Sequence, residues 1–399
     1  MVYSWQSRLL LRLKRPLISL RGGWLFYYRN EIGCNIFLDG YRIKGYKVGI
    51  EANPLVSHFA QVRPEKRGFF CRQIFCRVIR MKDNLKHLNP EEQRLLFESR
   101  GIQFPEDRHE IDANKIQEIG YYKLKEFAYS FAKRKPNGHL SLSDDKEIVY
   151  EKLSFKKLLV RYYMDKNLRI FILHAIEDIE VYLNNIVATR LGLKYGAFGY
   201  LEYKNWCDRS IPKFEIEKKQ FYFKKDLLAK ITRSNLPDIK LPWNQNSDGF
   251  PSVWVMTDCL TFGDTINLVK IMSLNNKKAL ASKFNCTPNE LISWLSCMNF
   301  IRNACVHNSD LIDIKIRTKP TPPAKYTQCL NSVKGGYSNK VAVAVLIIKF
   351  MMESVNSRYK FGNIYDSLYK LIDGNEELAH NLGFSKIDSI KCLTKRNFD

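Results

Sequence analysis

The sequence has no CxxC pair. Its ten cysteines are scattered, and the closest two, Cys71 and Cys76, stand five apart. Neither a zinc framework nor a disulfide scaffold is expected from such spacing. Long apolar runs are also missing: the longest, Val341 to Ile348, falls far short of the roughly 20 residues that a bilayer-spanning helix needs. No membrane partner is expected, and a reducing, cytoplasmic setting is. Sustained period-two alternation is lacking from Met81 onward, which argues against a sheet protein and for an all-α bundle. Acidic residues are scarce in the first 80 positions, where eleven Arg and four Lys face only four acids.

What the chain has in quantity is positive charge, 64 Lys and Arg against 41 acidic residues, a formal +23 over 399 residues. That balance favours polyanionic partners, while a hydrophobic content of 45% leaves room for one large core or two. The charge is uneven. From Met81 on, thirteen Arg and thirty-six Lys face thirty-seven acids, so the preference shifts sharply from Arg to Lys. Met81 is followed at once by a sequence of helical character, as a genuine start would be. Residues 1–80 are therefore read as a basic extension translated from upstream sequence. Arg8, Arg12, Lys14, Arg15 and Arg21 leave open a transit-type peptide or a basic nucleic-acid arm. Without the extension the remainder still carries +12.

Helical periodicity and capping signals place the later elements. Asn89-Pro90 opens a helix that ends at Gly101, and a second is expected over 112–131. The strongest pattern runs from Ser154 to Leu191, either one bundle spine or two helices joined near Asp165-Lys166-Asn167, with Gly192, Gly196 and Gly199 ending it. A Lys-rich helix is expected over 211–233, a proline-marked loop over 234–251, and interrupted helix over 254–272. Thr287-Pro288-Asn289-Glu290 is a capping box with proline at the first helical position. The helix it opens leads into Arg302-Asn303-Ala304-Cys305-Val306-His307. Val341 to Met352 is expected to be a central buried helix.

The spacing R-x4-H occurs three times. Arg134 and His139 flank a Pro-Asn-Gly turn and read as incidental. Arg169 and His174 enclose Ile, Phe, Ile and Leu, so His174 reads as a structural histidine in the core. Arg302 and His307 end an amphipathic helix among polar residues, where a cation and a general base could share one phosphate. Five residues is about 140° of helical rotation. The two can meet only if the Arg folds around, if the helix ends near His307, or if a second subunit completes the site.

The stretch Arg302-Asn303 followed by Ala-Cys-Val-His-Asn-Ser-Asp-Leu resembles the signature of the HEPN superfamily as it occurs in Abi-like (abortive infection) proteins of the D/F type. Other stretches are similar to the same family in the same order: Glu118-Ile119-Gly120-Tyr121-Tyr122-Lys123-Leu124, with Lys123 where Arg is more usual; Asp165 to Arg169 followed by Ile176 to Glu180; Val253-Trp254-Val255 with Leu260 to Gly263; and Leu382-Gly383-Phe384. The resemblance covers about residues 92–385.

It implies an all-α, HEPN-type helical bundle with additional helices. The domain plan is then a basic extension over 1–80, an N-terminal helical part over 81–150, a core over 151–385 carrying the motif, and a tail over 386–399. It also implies metal-independent RNA cleavage without a cofactor, by a homodimer, in phage defence, with an antitoxin or small RNA as a further partner. Arg302, Asn303 and His307 would be catalytic: His307 moves a proton, Arg302 holds the scissile phosphate, and Asn303 orients one of them. Arg169, Glu177, Glu180 and Asn308 would bind substrate or support the site, Glu177 and Glu180 serving as partners for Arg169 or a neighbouring helix. Asp165 reads as a break or cap, and Tyr121, Tyr122 and Trp254 as core aromatics. Competing functions are a HEPN-type module that binds RNA or a partner without cutting, a membrane-acting toxin, and a DNA-binding regulator. The last lacks a helix-turn-helix signal.

Overall fold

A computed structural model describes residues 87–136, 138–142 and 147–394, together with the backbone of 18–20, 23–30, 33–38 and 41–45. The chain divides into two units, Met1–His87 and Leu88–Asp399. In the first, β1 (Ile18–Leu20), β2 (Gly23–Asn30), β3 (Gly33–Leu38) and β4 (Tyr41–Gly45) form an antiparallel meander in sequence order. Tyr27 pairs with Ile36 and Phe37 with Arg42. β2 is rich in the aromatic residues that favour pleated structure, a signal that a search for alternation alone passes over. Arg8, Arg12, Lys14, Arg15, Arg21 and Met81 lie outside the described residues.

The second unit is helical, as expected. α1 (Pro90–Ser99) starts at a reciprocal Asn89–Glu92 capping box with Pro90 in the first turn. The single helix expected over 112–131 is instead two, α2 (His109–Ile119) and α3 (Tyr121–Ala128). Gly120, at φ +97, lies outside the helical region and breaks them apart. After α3, isolated antiparallel bridges join Ala132 to Tyr150, Arg134 to Leu140 and Leu142 to Ile148, and Arg134 donates to the Gly138 carbonyl. Two parallel residue pairs, β5 (Ile102–Gln103) and β6 (Leu153–Ser154), tie the start of the unit to the next helix.

That helix, α4 (Phe155–Tyr195), runs 41 residues without a joint, its first turn capped by the Ser154 hydroxyl. Asp165 is therefore neither a break nor a cap of α4. Leu158, Leu168, Ile172, Ile176, Ile179, Leu183, Val187 and Leu191 are buried at three- and four-residue steps. α4 is the spine against which α3, α6 (Phe262–Ile271), α7 (Leu274–Ala281), α8 (Pro288–Val306), α9 (Val341–Val355) and α10 (Gly362–Ile372) all pack. Between them in sequence, α5 (Lys213–Arg233) is the expected Lys-rich helix, buried only at Leu227 and Ile231. The proline-marked stretch after it holds two short 3-10 turns, Pro237–Lys240 and Pro242–Asn244.

α9 is buried at every position from Val341 to Lys349, the central helix its composition demands. Lys349 sits 4.0 Å from Glu353 one turn on, which offsets part of its burial. α11 (Glu376–Leu382) completes the unit beside β7 (Ser332–Val333) and β8 (Gly336–Tyr337). Among the described residues no helix is long and apolar enough to cross a membrane.

Gly192 does not end α4. It lies inside the last turns, where a Cβ would stand 2.7 Å from Cζ2 of Trp254, so Trp254 packs its ring on a missing side chain. Trp254 remains 52% exposed and Tyr122 79%, whereas Tyr121 is buried, so of the three aromatics read as core only Tyr121 is fully inside. Substituting Gly192→Ala is expected to destabilise the protein by about 1–3 kcal/mol through this clash. Urea denaturation checks it, and the loss should shrink when Trp254→Ala is combined with it.

Candidate functional site

α8 is built to stop where the motif needs it to stop. It opens on a reciprocal Thr287–Glu290 capping box with Pro288 at the first position. It buries Leu291, Leu295, Met298, Ile301 and Cys305, and ends at Val306 with His307 as its C-cap. Asn308 takes a left-handed backbone, φ 55. The Ser309 N–H donates to the Ala304 carbonyl at 2.9 Å and the Asn308 N–H to the Cys305 carbonyl at 3.2 Å. These two bonds form a Schellman ending, with asparagine where glycine is usual. The helix thus ends at His307, one of the three conditions under which Arg302 and His307 can serve one ligand. Arg302, Asn303 and His307 fall within about 7.5 Å of helix axis. Asn303 and His307 are exposed and Arg302 is half-buried. Among the described residues, neither the Arg302 guanidinium nor the His307 ring is engaged in a hydrogen bond or a salt bridge.

The loop behind His307 is clamped from two sides. On one side Asp165 of α4, wholly buried, accepts the backbone N–H groups of Leu311 and Ile312 at 2.8 and 3.1 Å through one oxygen. Its other oxygen accepts Nε of Arg169 at 2.7 Å. Arg169 Nη1 then donates to the Asn308 side-chain oxygen at 2.8 Å. On the other side, Lys123 of α3 donates to the Asn308 carbonyl and to Glu126. Glu126 in turn accepts the Asp310 N–H at 3.2 Å. Arg161, two turns before Arg169, holds Asp313 at 2.7 Å.

This crowding shows in the acids. Burial raises Asp165 above the ordinary carboxylate range, with Arg169 and the two N–H donors opposing. Asp310 is pushed up to about 8, first by burial and then by the charges of Asp313 and Asp165, against the pull of Arg161.

Further along α4, Glu180 faces Arg302. Burial raises its pKa, while Arg302 and the Phe262 N–H favour its charged form and Glu177 opposes it. Arg169 and Glu180 are eleven residues apart, close to three helical turns, so they share a face. That face meets α8 in antiparallel order: Arg169 at Asn308, Glu180 at Arg302. Glu180 thus interacts with Arg302 through charge, without a hydrogen bond or salt bridge, and is not a partner of Arg169, whose carboxylate is Asp165. Glu177 is exposed. Arg169 is 4% exposed and committed to Asp165 and Asn308, so it supports the loop. His174 is exposed and not in the core; its Nδ1 lies 3.0 Å from the Tyr359 hydroxyl.

Sequence reasoning missed Lys123, Glu126, Arg161, Asp165 and Asp310 as parts of this arrangement. For Arg161, Asp165 and Arg169 a signal existed. They recur every fourth residue on the apolar face of the spine, and charged groups there must be paired to be buried at all. For Lys123 and Glu126 the partners lie about 185 residues away, and nothing local announces them.

A family model described as Abi-like protein matches residues 114–313, half of the chain, from α2 to the Asp313 end of the clamped loop. No curated protein and no solved structure matches.

Removing Arg169 (Arg169→Ala) would leave Asp165 buried beside an empty space, an expected loss of about 3–5 kcal/mol, read from urea denaturation. Asp310 gives a pH signature. Its folded pKa is above the unfolded value, so the folded chain holds an extra proton from about pH 4 to about 8. The stability this contributes is complete below the unfolded pKa and is lost as pH rises through about 8. The stability of Asp310→Asn relative to the parent should therefore climb with pH across that window; a constant difference would refute the assignment.

Proposed function

Because the chain belongs to the Abi-like protein family, we propose that it acts in abortive infection as a metal-independent endoribonuclease of HEPN type, with Arg302 and His307 at the reacting phosphate. The observation that carries this reading is the exposed end of α8. There, among the described residues, the half-buried Arg302 guanidinium and the exposed His307 imidazole make no hydrogen bond or salt bridge, while the loop behind them is tied down. Buried, paired arginines such as Arg169 are structural. An arginine and a histidine left open to solvent at a rigid helix end are what an anionic ligand would engage.

The chemistry follows from the residue types. The ribose 2′-oxygen attacks the adjacent phosphorus, and the bond to the 5′-oxygen breaks. Imidazole changes protonation near neutral pH, so His307 can take the 2′-hydroxyl proton or supply one to the leaving oxygen. Arg302 offers planar, paired donors to the non-bridging oxygens as charge builds on them. The Glu180 carboxyl on the facing side of α4 balances the charge of that guanidinium, and Asn303, exposed one residue on, adds a hydrogen bond to the phosphate. The products are a 2′,3′-cyclic phosphate and a 5′-hydroxyl, which confines the reaction to RNA. The same reading includes a homodimer that sets two motifs across one cleft, a cytoplasmic setting, and silencing by an antitoxin or small RNA.

Expression of the chain beside Arg302→Ala and His307→Ala tests it. The parent should arrest growth and leave RNA fragments with cyclic 3′ ends, and each variant should lose at least about a hundredfold in cleavage, within the range for a general acid–base group, with unchanged melting. Folded variants that cut like the parent would refute the roles given to Arg302 and His307, and a folded parent that cuts no RNA would leave an RNA- or partner-binding module in place of the enzyme.

A further inference from the structure

A second concave site lies away from the end of α8, between the start of α4 and the segment from the end of α10 through α11. Two adjoining cavities of about 260 and 410 Å³ share Phe131, Lys157, Arg161, Leu371 and Leu378 as common wall. The larger falls in the size range of small-molecule sites. The smaller is lined by Lys156, Lys157, Arg161 and Lys370 against a single acid, Asp373. The larger adds Lys152 and three acids. Two of these are already paired, Glu151 with Lys133 at 2.8 Å and Asp313 with Arg161 at 2.7 Å, and the third is Glu377. Among the described residues Lys152, Lys156, Lys157 and Lys370 have no carboxylate partner. The basin therefore keeps a surplus of positive charge after its own acids are counted.

Two further observations point to a ligand. Arg161 is 8% exposed, yet its Nε is buried with no hydrogen-bond partner, as is Oδ2 of Asp313; both residues line the larger cavity. An unpaired donor and an unpaired acceptor in the same ion pair leave Arg161 and Asp313 incompletely satisfied, a costly state that makes the pair ready to exchange partners. The walls are also mixed: Phe131 carries Lys157 and Arg161 at 5.2 and 5.5 Å from its ring centre, and Leu371 and Leu378 face the same space. A bare inorganic anion would leave that apolar wall unused.

We propose that this basin binds a free nucleoside polyphosphate, its phosphates held by Lys156, Lys157, Lys370 and Arg161 and its nucleoside lying along Phe131, Leu371 and Leu378. The site adjoins the loop that follows α8, since Ile312 and Asp313 line the larger cavity. Arg161 also holds Asp313, whose N–H donates to Asp310 in the loop clamped behind His307. A phosphate that engages Arg161 competes with Asp313 for it, so occupancy loosens one anchor of that loop. This coupling rests on the ribonuclease reading; the binding does not.

Calorimetric titration of the full chain carrying His307→Ala with ATP, GTP, ADP, AMP and pyrophosphate tests the binding. Saturable binding of a triphosphate is expected, with AMP and pyrophosphate each weaker by about tenfold or more, one decade of affinity being about 1.4 kcal/mol. Lys156→Ala with Lys370→Ala, both at exposed positions, should weaken it by a similar factor at unchanged melting temperature, and Lys157→Ala provides an independent check. No saturation up to about 1 mM, the weak end of specific binding, or equal affinity in the substituted chains, overturns the proposal. Displacement of bound nucleotide by single-stranded RNA overturns it in favour of an RNA groove. With His307 intact, ATP should change RNA cleavage by about fivefold or more, the lower range of allosteric coupling, and Asp313→Asn should remove the response. Binding without such a change keeps the site and refutes the coupling. A chain that binds nucleotide and never cuts RNA refutes the ribonuclease reading alone.

Discussion

The buried pair Asp165 and Arg169 is the constraint on which the rest of the site depends. A carboxylate with no exposure to water must be paired and hydrogen-bonded. Asp165 meets that demand with one arginine and two backbone N–H groups of the loop after His307. The arginine, itself buried, also donates from Nη1 to the Asn308 side chain. Neither group can move without leaving the other uncompensated, so the loop is pinned to the first half of α4. Buried ion pairs contribute little net stability compared with apolar packing; here the pair fixes geometry.

That pinning explains why the end of α8 is so definite. A helix whose last turn frays would present His307 over a range of directions. The Schellman bonds, the left-handed Asn308 and the two clamps leave it one. The exposed residues then do not need partners of their own. Arg302, at the other end of the motif, feels the charge of Glu180 three turns along the same spine. One straight helix thus supplies both the support behind the histidine and the acid beside the arginine. A joint at Asp165-Lys166-Asn167, which the sequence allowed, would have let these two supports move independently.

The accumulation of acids around this loop, Asp310 and Asp313 in it and Asp165 on α4, answered by Arg161 and Arg169, stores an electrostatic imbalance in the fold. Burial first, and then the charges of Asp313 and Asp165, push Asp310 up to about 8, since ionising it would add a third negative charge to a space whose two cations are already committed. Such imbalance makes a loop responsive to whatever engages its cations. Arg161 is the member of the set with a donor still unpaired and a cavity beside it.

Much of this protein was legible residue by residue. Capping boxes at Asn89 and Thr287, the apolar stripe from Leu158 to Leu191 and the uniform burial of Val341 to Ile348 are local signals, because helix starts and apolar faces depend on neighbours within a few residues. The family and the motif Arg302-Asn303 to His307 were likewise written in contiguous stretches. What the sequence left open was decided by contacts across the fold. Whether α4 was one helix or two turned on a burial site for Asp165, provided by a loop some 146 residues away. The place of Tyr122 and Trp254 outside the core, the exposure of His174 and the partner of Glu180 followed from which helix packed where. A pattern of polarity can say that a charged residue is unusual on an apolar face. Only the three-dimensional neighbour that supplies the opposite charge or the hydrogen bond decides what the residue is for.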